Sequence, residues 1–225
     1  MSRLRLVVFD VDGTLVDSAG GIVAAMEAAY AGVGEAPPTE AAIRSIIGFS
    51  LDVAFARLSP AIYARHRDAL VDGYRAAYLG ARERDGAAVG SPLYPGAAEA
   101  VVRLAADPWT LLGIATGKAR RGLDAVLKEH GLLPHFTTLQ TADLHPSKPD
   151  PSMLLACLAE TGVAAEDAVM VGDTTIDMDM ARNAGVRSVG VAWGYHPADS
   201  LRATRVIDRF DELHAALDDL WRAPA

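Results

Sequence analysis

Asp10 and Asp12 stand one residue apart, directly after the apolar run Leu6-Val7-Val8-Phe9, with Gly13 and Thr14 behind them. A short run rich in β-branched residues predicts a buried parallel strand, and open α/β sheets bind ligands at the carboxyl ends of such strands. Two carboxylates buried side by side need a cation or a proton to offset their repulsion. A lone aspartate here would read as a turn or capping acid, whereas Asp-x-Asp-Gly-Thr after an apolar strand reads as chemistry. A second acidic loop, Gly172-Asp173-Thr174-Thr175-Ile176-Asp177, follows the run Val169 to Val171. Two such loops at one sheet edge make an oxygen-rich site, and hard oxygen ligands select Mg2+. Asp177 falls at the predicted start of a helix, where an acid also suits the helix's positive end; Asp179 reads as a helix acid of that kind.

Two further segments supply cations and donors. Thr116-Gly117-Lys118 follows the apolar run 110–115, and a hydroxyl with neighbouring backbone N–H groups at a helix N-terminus suits a phosphate. Threonine is also a common N-cap, so this segment says little alone. In Ser147-Lys148-Pro149-Asp150-Pro151 the prolines stiffen the chain before a helix and fix where Lys148 points. An ammonium is a compact charge suited to phosphate oxygens. A nucleophile-grade carboxylate, a second carboxylate, a hydroxyl, a lysine and a metal pair together fit phosphoryl transfer through an aspartyl phosphate.

The elements that must position these groups alternate along most of the chain. Strand-like runs at 6–9, 110–115, 168–171 and 187–191, with a weaker one at 136–140, are separated by helical patterns at about 95–106, 118–131, 151–161, 175–184 and 210–222. Gly131 and Gly185 sit where helix C-caps fall. Such alternation predicts an α/β fold with a central parallel sheet. Residues from about 16 to 92 break the pattern: helices at about 19–32, 39–47, 51–58 and 60–82 follow one another with no strand. The predicted organisation is an α/β core of residues 1–15 and 93–225 with a helical insertion, 16–92, placed after the first strand.

Composition narrows the function classes. The chain has 225 residues, 51% hydrophobic and 6% aromatic, so it can bury a core and is not a disordered or fibrous protein. With 29 acids against 21 bases, the net charge of −8 argues against a nucleic-acid or polybasic membrane partner. The arginines between Ala61 and Arg84 are interleaved with acids and read as a solvated helix face. No segment approaches the ~18 apolar residues of a membrane span. The N-terminal apolar run is too short for a signal peptide, so the expected location is cytoplasmic. The single cysteine, Cys157, fits a reducing compartment and reads as a small buried apolar residue. Only Lys118, Lys128 and Lys148 are lysine, against eighteen arginines, which makes each lysine an unusual choice for this chain.

In these motifs the sequence resembles the haloacid dehalogenase superfamily of phosphohydrolases across essentially its whole length. Asp10-Val11-Asp12-Gly13-Thr14 matches the family's first motif, Thr116 the second, Lys148 the third, and Asp173 with Asp177 the fourth. The resemblance implies a Rossmann-like core, its first strand central, and a small α-helical cap. It also implies roles. Asp10 would attack phosphorus, and Asp12 would protonate the leaving oxygen and then activate water. Mg2+ would be held by the Asp10 carboxylate, the Asp12 backbone carbonyl and Asp173. Thr116, Gly117 and Lys148 would hold the phosphoryl oxygens, while Asp177 supports the metal's water or Lys148. The second aspartate of the first motif argues against dehalogenase activity.

Within the superfamily, Asp12 to Ser18 and Trp193-Gly194-Tyr195 look most like the phosphoglycolate phosphatase branch. The related β-phosphoglucomutases place an arginine in the cap segment; Gly48-Phe49-Ser50-Leu51 has none, although Arg44 is near. The phosphonatase branch uses a cap lysine, and the first lysine here is Lys118. A receiver-like signalling module shares clustered acids, a threonine and a lysine, but a helical insertion of ~70 residues is foreign to compact α/β loops. A non-catalytic interaction module would not need the intact motifs. The expected partner is a small phosphorylated metabolite, with phosphoglycolate, other sugar or organic-acid phosphates, nucleotides and pyrophosphate all open. Arg44, Phe49 and Arg57 are candidates for selectivity, the role of Lys118 is open, and either a monomer or a homodimer is compatible.

Overall fold

In the computed structural model, which describes residues 3–86 and 90–222, six strands form one parallel sheet. They are β1 (Arg5–Phe9), β2 (Thr110–Thr116), β3 (Thr138–Thr141), β4 (Ala168–Gly172), β5 (Arg187–Val191) and β6 (Arg205–Ile207), in the order β3-β2-β1-β4-β5-β6. Apolar runs rather than alternation mark the inner strands because both faces are covered. Val7 and Phe9 point into one core with Leu112, Ile114, Val169 and Val189. Leu6 and Val8 point into the other with Met153, Cys157 and Met170. Cys157 is fully buried there, and burial pushes its thiol up to about 12, as expected of an inert apolar residue.

The central position of β1 brings the chemistry together. Phe9 pairs with Ile114 on β2 and with Val171 on β4, so the three strands end nearly level. Asp10, Thr116 and Asp173 therefore leave the sheet at one edge.

Between β1 and β2 the chain builds α1 (Ala19–Gly32), α2 (Glu40–Arg44), α3 (Leu51–Leu58) and α4 (Pro60–Asp85). These helices share a core of their own around Met26, Tyr30, Ile43, Phe55 and Leu70. α4 kinks at His66, whose backbone leaves the helical region (φ −130°, ψ 24°). The arginines of this stretch make exposed ion pairs, Arg65 with Glu35 and Arg67 with Asp52, as a solvated face should. Entry and exit run side by side: Val16 and Leu93 form an antiparallel bridge, and the Asp17 N–H donates to Pro92 O.

The remaining helices are α5 (Ala97–Ala105), α6 (Arg120–Glu129), α7 (Ser152–Thr161), α8 (Thr175–Asn183) and α9 (Leu213–Arg222). Gly131 and Gly185, both at φ 69°, follow helix ends as predicted. Three details differ from the sequence expectation. β6 was not foreseen, because an edge strand of three residues with two exposed ones carries no apolar run. The helix expected at 39–47 stops at Arg44, since Gly48 adopts φ 108° and turns the chain. Residues 210–212 form a 3-10 turn ahead of α9. Among the described residues, no helix is long and apolar enough to cross a membrane.

Candidate active site

The loops after β1 and β4 converge on one buried cluster. Asp10, Lys148, Asp173 and Asp177 are each at most 1% exposed. Lys148 Nζ lies 2.9 Å from Asp10 Oδ1 and 2.6 Å from Asp177 Oδ1. Asp10, Asp173 and Asp177 can each offer a carboxylate oxygen within 4.8 Å of the others. Neighbours hold two of these acids rigidly. Thr14 Oγ1 donates to Asp173 Oδ1 at 2.9 Å and the Tyr195 N–H donates to Oδ2 at 2.8 Å. Asp177 closes a capping box with Thr174, whose hydroxyl donates to Oδ2 at 2.6 Å. The helix-acid reading of Asp177 is thus true, and the same carboxylate also grips Lys148. Asp179 is only the helix acid, paired with Arg182.

Asp10 is different. Apart from the Lys148 ammonium beside Oδ1, its buried oxygens meet no hydrogen-bond donor among the described residues. Burial raises its carboxyl to about 7; the charges of Asp177 and Asp12 add to this while Lys148 opposes it. Asp173 is raised well above the carboxylate range by burial and by Asp177 and Asp10. Three carboxylates facing one ammonium form an incompletely neutralised set of hard oxygen donors, the donor chemistry that Mg2+ takes. Gly13 makes this packing possible: at φ 88°, a Cβ there would fall 2.2 Å from Asp173 Oδ2.

Asp12 belongs to a separate group. Lys118 Nζ is 2.9 Å from its Oδ1, and Ser18 Oγ donates to the same oxygen. Lys118 also donates to the Tyr78 hydroxyl on α4 at 3.0 Å. Burial works against charge on Lys118, but Asp12 and the tyrosines outweigh it and hold the ammonium above the usual lysine range. The carboxylate of Asp12 is thus paired outside the set formed by Asp10, Asp173 and Asp177. Lys118 and Ser18 had no assigned role in the sequence; the signal for Lys118 was the rarity of lysine. Tyr195, which accepts from the Ser18 N–H at 3.0 Å, ties this group to Asp173.

Thr116 is buried at the end of β2, and its Oγ1 accepts from the Lys118 N–H at 3.2 Å. The expected helix start is displaced: α6 begins at Arg120, whose N–H donates to Asp143 at 2.5 Å. Gly117 lies under the insertion, where a Cβ would come within 2.5 Å of Gly48 O and 2.8 Å of Phe49 O. Between sheet edge and insertion is a cavity of about 400 Å3, lined from below by Asp10, Asp12, Thr116 and Lys118. Ser50 N–H donates to Ser147 Oγ at 2.8 Å across the same junction. Of the three selectivity candidates, Phe49 lines the cavity. Arg57 stacks over the Phe49 ring at 4.2 Å. Arg44 pairs with Glu40 at 2.8 Å and is not part of the lining.

A parallel sheet in this order, with acids from two loops, a threonine and a lysine gathered at one edge beneath a helical insertion, defines a Rossmann-like hydrolase. The chain belongs to the haloacid dehalogenase-like hydrolase family, which it matches over residues 7–191. It is 36% identical over 223 residues to the protein named "Probable phosphatase IndB" of Dickeya dadantii, covering 96% of this chain and 95% of that one. It is 31% identical over 213 residues to a phosphoglycolate phosphatase of Vibrio cholerae, covering 89% and 90%. The crystal structure of a hydrolase from Pseudomonas syringae superposes with a TM-score of 0.82 at 26% identity, covering 96% of this chain and 98% of that one. The fold and family expectations from the sequence are borne out.

Proposed function

We propose that this phosphatase of the haloacid dehalogenase-like family hydrolyses the phosphomonoester of a small metabolite through an aspartyl phosphate on Asp10, with Mg2+. One observation carries the reading: Asp10 is buried, lines the cavity and, apart from the Lys148 ammonium beside Oδ1, has no hydrogen-bond donor on its carboxylate among the described residues. An oxygen so placed is free for a metal and for an incoming phosphorus atom.

In the first step an Asp10 oxygen attacks phosphorus and the ester oxygen leaves, taking a proton from Asp12. In the second, Asp12 takes a proton from the water that attacks the phosphorus of the aspartyl phosphate, and Asp10 is released. Lys118 acts on Asp12 as a positioning residue: with Ser18 it aims the carboxyl. Thr116 Oγ1, the Gly117 N–H and Lys148 hold the phosphoryl oxygens as charge moves onto them. The Asp10 carboxylate, the Asp12 backbone carbonyl and Asp173 would hold Mg2+, with Asp177 alongside Lys148. When bound, the ion supplies the positive charge that offsets the carboxylates and the phosphoryl group.

Residues 16–92 serve in this reading as a cap that closes over the cavity and keeps water out of the first step. Relatives named phosphoglycolate phosphatase support a small metabolite as substrate. The Gly48–Leu51 segment carries no arginine, and the insertion's Arg75 reaches the cavity only from an exposed position, which disfavours a mutase. The buried, unpaired Cys157 suits a reducing compartment, and we take the location to be cytoplasmic. The test is phosphate release from a panel of metabolite phosphates. Turnover is expected with Mg2+, and none after chelation or in Asp10→Asn. Turnover that survives in Asp10→Asn contradicts the mechanism.

A further inference from the structure

The cavity above Asp10 and Asp12 is larger and less polar than a two-carbon acid's phosphate calls for. At about 400 Å3 it lies within the ~300–1,000 Å3 typical of pockets for drug-sized ligands. The insertion gives it Ile46, Phe49, Leu51, Tyr74 and Leu79 as walls. Among the described residues, three cations line it. Lys118 is 2.9 Å from Asp12. Arg75 and Arg121 line the cavity only from exposed positions, Arg75 beside Asp72. Asp52 and Asp143 also line it, so a second anion on the substrate would meet acids as well as bases. A carboxylate held against the apolar walls, away from the exposed arginines, would lose its hydration without gaining a partner. Among these walls Tyr74 is a polar handle, and its hydroxyl makes no hydrogen bond among the described residues.

We infer that the substrate is a phosphomonoester of a mainly apolar, uncharged alcohol that fills this cavity, and that phosphoglycolate, with its carboxylate beside the phosphate, is a poor substrate. This rests on the phosphatase reading above and names its substrate class. The alcohol's apolar body packs on Phe49 and the aliphatic walls, and a single polar group on it meets Tyr74.

The test is a series of straight-chain alkyl monophosphates, from methyl to hexyl, with phosphoglycolate alongside. Their leaving alkoxides are similar in basicity, so kcat/KM reports the fit of the body. The expected result is a rise of about fourfold per added methylene until the cavity is full, with phosphoglycolate below ethyl phosphate. Phe49→Ala should flatten the rise. A flat series in the wild type, or phosphoglycolate ahead of the longer esters, overturns the inference. Calorimetric binding of the same series to Asp10→Asn separates it from the catalytic reading. Affinity that climbs with chain length where the wild type shows no turnover upholds the cavity inference and removes the hydrolytic one. Affinity that does not climb removes the cavity inference, whatever the turnover.

Discussion

Asp10 and Asp12 are two residues apart in number but occupy different electrostatic surroundings. Asp10 shares Lys148 with Asp177 and faces Asp173, while Asp12 has Lys118 and Ser18 to itself. In the proposed mechanism that division gives the nucleophile and the proton carrier separate partners. Removing Lys148 leaves three buried acids without their cation, so Lys148→Ala should lose about 3–5 kcal/mol of stability without metal, measured by denaturant unfolding. An unchanged midpoint would refute the pairing. Lys118→Ala should lower kcat by about a hundredfold with KM little changed, with partial rescue by Lys118→Arg. A loss confined to KM, or no rescue by arginine, would make Lys118 merely structural. The acids were legible in the sequence because a pair of carboxylates after an apolar strand has few structural uses. Lys118 was less so: its partners, Asp12 and Tyr78, lie 106 and 40 residues away in sequence, and no local spacing reveals them.

At the scale of elements, three strand ends and one segment of the insertion define the site. The level register of β1, β2 and β4 delivers Asp10, Thr116 and Asp173 to one edge. Gly117 then receives the backbone of Gly48 and Phe49 at a distance no side chain allows. Gly117→Ala should push the insertion off its seat and lower kcat/KM by about a hundredfold, the cost of roughly an ångström of misplacement. Faster limited proteolysis of the helices between β1 and β2 should accompany the loss, and kinetics like the wild type would contradict this contact. The inner strands and most helices were readable from apolar runs and periodicity. β6 was not, because half-exposed edge residues leave no such run. The early end of α2 was not either, since it depends on Gly48 turning toward the sheet edge. The cavity wall could not be read at all: Phe49 and Tyr74 become neighbours of Asp10 only through packing.

For the molecule as a whole, the proposed Mg2+ site would link stability to metal binding through the acid cluster. The Asp10 carboxyl titrates near 7 in the folded protein but near 3.8 when unfolded. Between these values the native state holds the extra proton, so stability falls as pH rises through that window. Mg2+ offsets the same charge, so the Tm gained on adding Mg2+ should be larger at about pH 8 than at about pH 5. A gain independent of pH would contradict a cation site at these carboxylates. The helical insertion and its place after the first strand were visible in the sequence as a break in alternation, because inserted helices keep their own periodicity and core. Whether two copies associate was not, since surface packing between chains leaves no periodic trace. The central claim is a phosphoryl group carried by Asp10, and its most direct test uses Asp12→Asn with 4-nitrophenyl phosphate and Mg2+. That leaving group departs without a proton, so the first step survives while the water step is blocked. The account predicts a burst of one nitrophenolate per protein and, after acid quench and peptide mass spectrometry, a phosphoryl group on Asp10. A burst with the phosphoryl group on another residue, or continued turnover with none on the protein, would contradict it.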